Sequence, residues 1–333
     1  MEGRKRKHDE PRGNVGPLSN VFHLVLRRSR VLLIGGFFAA TLVVLTVASA
    51  VFCEATLHVP RPPREPTIPI TTYPGAVWRL VTIRARDHAV MEAWFVGPGD
   101  DGNKRCVLVL HGIADSRTGA AGFATMFLSQ GYSVLLPDSR AHGRSGGEFV
   151  TYGLLEKYDV LGWTHWLRGE GCRDIYGLGE SLGASILIQA SALGPDFRAV
   201  VAECPYADLR AIAEYRIRQV LRLPGPIAKL IVRGSMMYAR WRYGLDFAQV
   251  ELTSAMSAST TPILLIHGLN DTRTPPWHSQ KLVRANPKAV LWLVPNADHV
   301  AASTADPGGF RARVLGWFAQ HRPPEQHLPG ADR

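Results

Sequence analysis

The sequence predicts an α/β fold: a mostly parallel eight-stranded sheet with helices on both faces and a small helical lid, preceded by one N-terminal transmembrane helix. Three observations carry this reading. Between residues 75 and 322, short apolar strand-like runs alternate with helix-compatible segments, the pattern of a parallel sheet with crossover helices. Residues 31–53 contain no charged side chain. Gly179-Glu180-Ser181-Leu182-Gly183 stands where an apolar strand gives way to a helix, and G-x-S-x-G at such a junction exposes a serine hydroxyl on a strained turn.

The N-terminal element follows from charge and hydropathy. The chain has 333 residues and a net charge of +10, and 46% of its residues are hydrophobic, so it can bury a full core. Half of that charge lies in residues 1–30, a basic head; the rest is spread thinly, without a basic stripe interleaved with aromatics, so no nucleic-acid partner is expected. Residues 31–53 are long enough to cross a bilayer. Arg27, Arg28 and Arg30 before the run and Glu54 after it place the N-terminus in the cytoplasm and the remainder outside it. A cleaved signal peptide is the alternative, since Ala48-Ser49-Ala50 fits a cleavage site, but the apolar run is longer than such signals require. Residues 54–74 are rich in proline and read as a stiff extended linker, and residues 323–333 as a disordered tail. The membrane, through residues 31–53, is thus one expected partner.

The strands follow in order. Residues 77–83 and 90–96 alternate apolar and polar side chains around Arg86-Asp87-His88, as an antiparallel hairpin does. Residues 106–110 form a buried central strand ending in His111-Gly112-Ile113, a turn able to aim backbone N–H groups at an oxyanion. The Ile113 N–H is the candidate donor, with the Leu182 N–H as its partner. Residues 131–137 make the next strand, followed by a polar loop whose His142 is read as structural, because it precedes Ser181 whereas the order serine, acid, histidine is expected. Strands at 174–178, 198–202, 263–266 and 290–294 complete the sheet. Asp271, after the 263–266 strand, is the candidate acid rather than a cap of the helix near residues 275–285. His299, after the last strand, is the candidate base, with neighbouring Asp298 pointing elsewhere. The histidine and cysteine spacings match no zinc site, and neither metal nor cofactor is expected.

With L-H-G, P-D-S-R-A-H-G-R-S, G-x-G-E-S-L-G, H-G-x-x-D-x-x-x-P and A-D-H in this order, residues 73–321 resemble the α/β-hydrolase superfamily, closest to single-domain bacterial esterases and the prolyl-oligopeptidase and serine-aminopeptidase clans. Ala141 departs from the glycine that many relatives carry before His-Gly. The resemblance implies a serine hydrolase acting on a small-molecule acyl substrate: Ser181 attacks, His299 accepts its proton, Asp271 orients the histidine, and Ile113 and Leu182 hold the oxyanion. Carboxylic esters are the leading substrate class; peptides or amides, thioesters, and a catalytically silent binding domain are the alternatives. The lid is assigned to residues 205–259, with two amphipathic helices over 208–223 and 226–243 whose apolar residues roof an acyl pocket or pack on the core. Cys106 and Cys172 are expected to be free buried thiols by default. The fold implied by the resemblance also brings their strands close enough for a disulfide in an oxidising compartment.

Overall fold

A computed structural model describes residues 17–61, 75–98, 105–194 and 197–324. The linker residues 62–74 and tail residues 325–333 lie outside the described residues. The chain divides into two units, Met1–Ala48 and Ser49–Arg333. Helix α1 (Pro17–Leu57) is long and apolar enough, over Arg27–Leu57, to cross a membrane, with a mean hydropathy of 2.5.

The larger unit is built on eight strands: β1 (Val77–Arg84), β2 (Val90–Gly97), β3 (Arg105–Leu110), β4 (Ser133–Pro137), β5 (Asp174–Glu180), β6 (Phe197–Glu203), β7 (Ile263–Gly268) and β8 (Val290–Val294). They form one sheet in the order β1-β2-β4-β3-β5-β6-β7-β8. The β1–β2 and β2–β4 pairs are antiparallel and all others parallel. Between β3 and β4 run α2 (Arg117–Ala120) and α3 (Gly122–Leu128); α4 (Glu156–Gly169) precedes β5, and α5 (Leu182–Ser191) follows it. After β6 come α6 (Leu209–Leu221), α7 (Gly225–Tyr243) and α8 (Leu252–Ala258), then α9 (Trp277–Ala285) between β7 and β8, and finally α10 (Ala302–Ala305) and α11 (Pro307–Gln320).

Alternation along β3 explains why both faces of the sheet are covered. Cys106, Leu108 and Leu110 enter one core with α4, α5 and α8; Val107 and Val109 enter the other with Phe127 of α3 and Phe310, Val314 and Phe318 of α11. Because β5 lies between β3 and β6, the chain winds outward in both directions from it, and a crevice opens beyond the carboxyl ends of the strands at that switch point.

Three expectations are corrected. Cys106 and Cys172 are joined in a disulfide with Cα atoms 5.8 Å apart, because β3 and β5 are direct neighbours; Cys53 and Cys204 are the free, buried thiols among the described residues. The start of the expected linker is not extended. Residues 54–57 continue α1, the Glu54 carboxylate accepts hydrogen bonds from Tyr238 and Tyr243, and Val150 N–H donates to Leu57 O at 3.0 Å. Arg61 then donates to the carbonyls of Ser145 and Gly147. Finally, α8 does not belong with the expected lid: Leu252 and Met256 are fully buried with α5 in the core, so the candidate lid narrows to α6 and α7.

Candidate active site

The elbow after β5 owes its shape to two glycines. A β-carbon on Gly179 would lie 2.5 Å from the carbonyl carbon of Gly183, and one on Gly183 would lie 2.4 Å from the Leu110 carbonyl oxygen. With nothing but hydrogen at both positions, α5 can start directly against β3 and β5. Ser181 itself is held at φ 51° and ψ −108°, a strained conformation that projects its hydroxyl off the sheet.

Ser181, Asp271 and His299 come together although they lie on three separate loops. His299 Nε2 is 2.9 Å from Ser181 Oγ, and His299 Nδ1 is 2.7 Å from Asp271 Oδ2. A carboxylate only accepts, so Nδ1 carries the proton and Nε2 is left to accept from the serine. The other carboxylate oxygen of Asp271 accepts from the N–H groups of Arg273 and Thr274, both at 2.8 Å, so Asp271 closes its own loop and does not cap α9. Asp298 is exposed and takes no part in this relay.

Burial by itself would raise the Asp271 pKa, but the hydrogen bonds from His267 and His299 outweigh it and hold the carboxyl well below its ordinary range. His267, the histidine of the H-G-x-x-D pattern at the end of β7, supports the acid. Its Nε2 donates to Thr274 O at 2.7 Å and lies 3.3 Å from Asp271 Oδ2, while Nδ1 accepts from Ser279. Two adjacent carboxyls are displaced the other way. Glu180, inside the elbow, and Glu203, its neighbour across the β5–β6 pair, are pushed up to about 8 and about 7, chiefly by burial.

The turn after β3 passes alongside Ser181: a β-carbon on Gly112 would sit 3.6 Å from Ser181 Cβ. Ile113 and Leu182 both line the cavity that holds Ser181 and His299. Ile113 N–H makes no hydrogen bond among the described residues, and Leu182 opens α5, where a first-turn N–H has no intrahelical acceptor. The next residue is anchored: Ala114 N–H donates to His142 Nε2 at 3.1 Å, and the Nδ1–H of His142 bonds Arg140 O. Burial, together with the nearby His111, pushes His142 down to about 4, so it stays neutral and serves as a fixed acceptor. Ala141 just before it adopts φ 58°, in the left-handed region that favours glycine.

The cavity measures about 310 Å³, and Ile212, Val232 and Met236 of the lid form its roof. Other apolar residues of these two helices neither roof the cavity nor pack on the core but face solvent: Val220, Leu221, Ile227, Leu230, Met237 and Trp241. A second wall, formed by Phe52, Cys53, Thr56 and Leu57 at the end of α1, carries no signal in the sequence, and two arginines, Arg216 and Arg273, also line the cavity.

With an elbow serine, a histidine–aspartate pair and an apolar cavity at the carboxyl ends of a parallel sheet, the chain belongs to the alpha/beta hydrolase family, whose model matches residues 107–313. It is 29% identical over 236 residues to the uncharacterized protein YqkD of Bacillus subtilis, covering 67% of this chain and 73% of that one. Escherichia coli YfhR, also uncharacterized, is 24% identical over 67% of this chain and 73% of its own. Among solved structures, the Pyrococcus furiosus esterase Pf2001 superposes with a TM-score of 0.65 at 23% identity, over 80% of this chain and 98% of the esterase.

Proposed function

We propose that the protein is a membrane-anchored serine hydrolase that cleaves carboxylic esters. The observation that carries this reading is the unbroken relay from Ser181 Oγ through His299 to buried, ionised Asp271. An unassisted serine hydroxyl is a weak nucleophile; here His299 takes its proton as Oγ attacks the ester carbonyl, and Asp271 stabilises the imidazolium that results. The tetrahedral oxyanion is held by the N–H groups of Ile113 and Leu182. His299 returns the proton to the departing alcohol, and water then attacks the acyl-enzyme by the same path.

Esters are favoured over peptides because the cavity roof and rear wall are dominated by apolar side chains, which suit an acyl group better than a peptide backbone. The resemblance to an esterase in fold points the same way. Anchoring is supported by the length and composition of α1, with its N-terminus in the cytoplasm by the excess of basic residues before the span. The Cys106–Cys172 disulfide suits an oxidising compartment for the hydrolase unit. A fluorophosphonate probe tests the chemistry directly. Labelling of the wild-type protein, abolished in Ser181→Ala, is the expected outcome; an unlabelled wild-type protein would remove the reading.

A further inference from the structure

The rear wall of the cavity comes from an element that the catalytic motif does not call for. Phe52, Cys53, Thr56 and Leu57 belong to the final turns of α1, whose Arg27–Leu57 segment has the length and composition of a membrane span. Phe52 and Cys53 are themselves the last two residues of the charge-free run. The cavity beside Ser181 is therefore closed on one side by the end of an apolar helix.

The lid meets this helix end at close quarters. A β-carbon on Gly234 of α7 would come within 2.3 Å of Ser49 Oγ, and Ser235 Oγ donates to Ser49 O at 2.8 Å. Along the same face of α7 as Gly234, Ile227, Leu230, Met237 and Trp241 recur at helical spacing and remain exposed, Trp241 by 79%. The opposite face, with Ala228, Ile231, Val232 and Ala239, is buried in the protein. Lys229, Arg233 and Arg240 are exposed on the flank of the apolar stripe. A helix with one apolar stripe edged by cations has the make-up of a helix lying in a lipid interface, where the cations meet anionic headgroups. Its occupant is set by continuity: the stripe adjoins the end of the one described helix suited to a bilayer.

We propose that the substrate is a membrane lipid ester, whose acyl chain lies in the cavity between the end of α1 and the lid while the exposed stripe of α7 rests in the lipid interface. This rests on the ester-hydrolase reading and names its substrate class. Ser181 Oγ bonds to the acyl carbonyl carbon, the bond to the glycerol oxygen breaks, and the lysolipid leaves with the proton relayed by His299. Water then splits the acyl-enzyme, releasing the fatty acid and restoring the serine hydroxyl.

The full chain is reconstituted in vesicles of dioleoylphosphatidylcholine and dioleoylphosphatidylglycerol. Oleate release is measured by mass spectrometry alongside hydrolysis of soluble p-nitrophenyl butyrate. Release of oleate that depends on Ser181 is expected. In the Met237→Glu/Trp241→Glu variant the lipid-to-butyrate ratio of kcat/KM falls at least about tenfold, since burying one large apolar side chain is worth more than that factor. Met236→Trp, which fills the cavity, shifts preference among p-nitrophenyl esters toward shorter chains. Hydrolysis of butyrate without release of oleate, or a ratio unmoved by the stripe variant, overturns the lipid proposal and leaves the ester-hydrolase reading standing. Failure on both substrates overturns the two together.

Discussion

At Ala141 a methyl group occupies a backbone conformation that suits glycine, and the neighbouring His142 holds the turn that carries Ile113. Ala141→Gly is therefore expected to raise stability by about 1 kcal/mol, read as a rise of a few degrees in Tm. His142→Ala frees the N–H of Ala114 and loosens that turn. It should lower kcat by about tenfold to a hundredfold, short of the loss from deleting an oxyanion donor outright, with KM little changed. The Glu180–Glu203 pair sets a pH dependence of stability. Their folded pKa values lie above the ordinary 4.5, so the folded state retains protons that the unfolded chain has already lost. By linkage, their contribution is full below about pH 4.5 and is lost as pH rises toward 8. Glu180→Gln should flatten the fall in Tm between pH 5 and 8; an unchanged slope would assign that fall to other groups. Asp271 moves oppositely: its low folded pKa adds stability that is full above the unfolded value and is lost progressively as pH falls below it.

Among the elements, the lid shows how much the sequence could disclose. Its two helices are legible from their periodicity and the Leu223-Pro224-Gly225-Pro226 break, and they fall at Leu209–Leu221 and Gly225–Tyr243. Which apolar residues point inward is not legible, because α7 carries two apolar faces, and periodicity alone does not say which one meets the protein. The end of α1 was hidden for a related reason: a run that is apolar on every side marks no face for a future contact. That Ser181, Asp271 and His299 come together, by contrast, is legible, because each follows a recognisable strand in a fixed order. The role of His267 is not, since a histidine closing a strand shows no partners until Thr274 and Ser279 are folded around it. Arg216, which lines the cavity from α6, gives this scale its prediction. Arg216→Glu should slow hydrolysis of anionic esters about tenfold more than that of neutral esters, and equal effects would remove the charge preference.

For the whole molecule, the disulfide ties the centre of the sheet across a sequence separation of 66 residues. A closed loop of that length is worth about 4 kcal/mol through the entropy of the unfolded chain, so Cys106→Ala/Cys172→Ala should lower Tm by roughly ten degrees. Titration of the denatured wild-type protein should find two more thiols after reduction than before. The closeness of β3 and β5 follows from the fold that the motifs imply; that the two sulfurs meet and bond is not legible in the sequence.

The bonds from Ser235 to Ser49, from Tyr152 to Thr56 and from Val150 to Leu57 decide where the molecule can be shortened. A soluble version trimmed to the hydrolase motif, starting at residue 75, would keep the serine relay but lose the rear wall of the cavity, leaving Ile212, Val232 and Met236 facing water. Engineering must therefore preserve the last turns of α1 even where the rest of the helix is replaced. What looks in one dimension like a tether is, at its end, part of the masonry of the cavity beside Ser181.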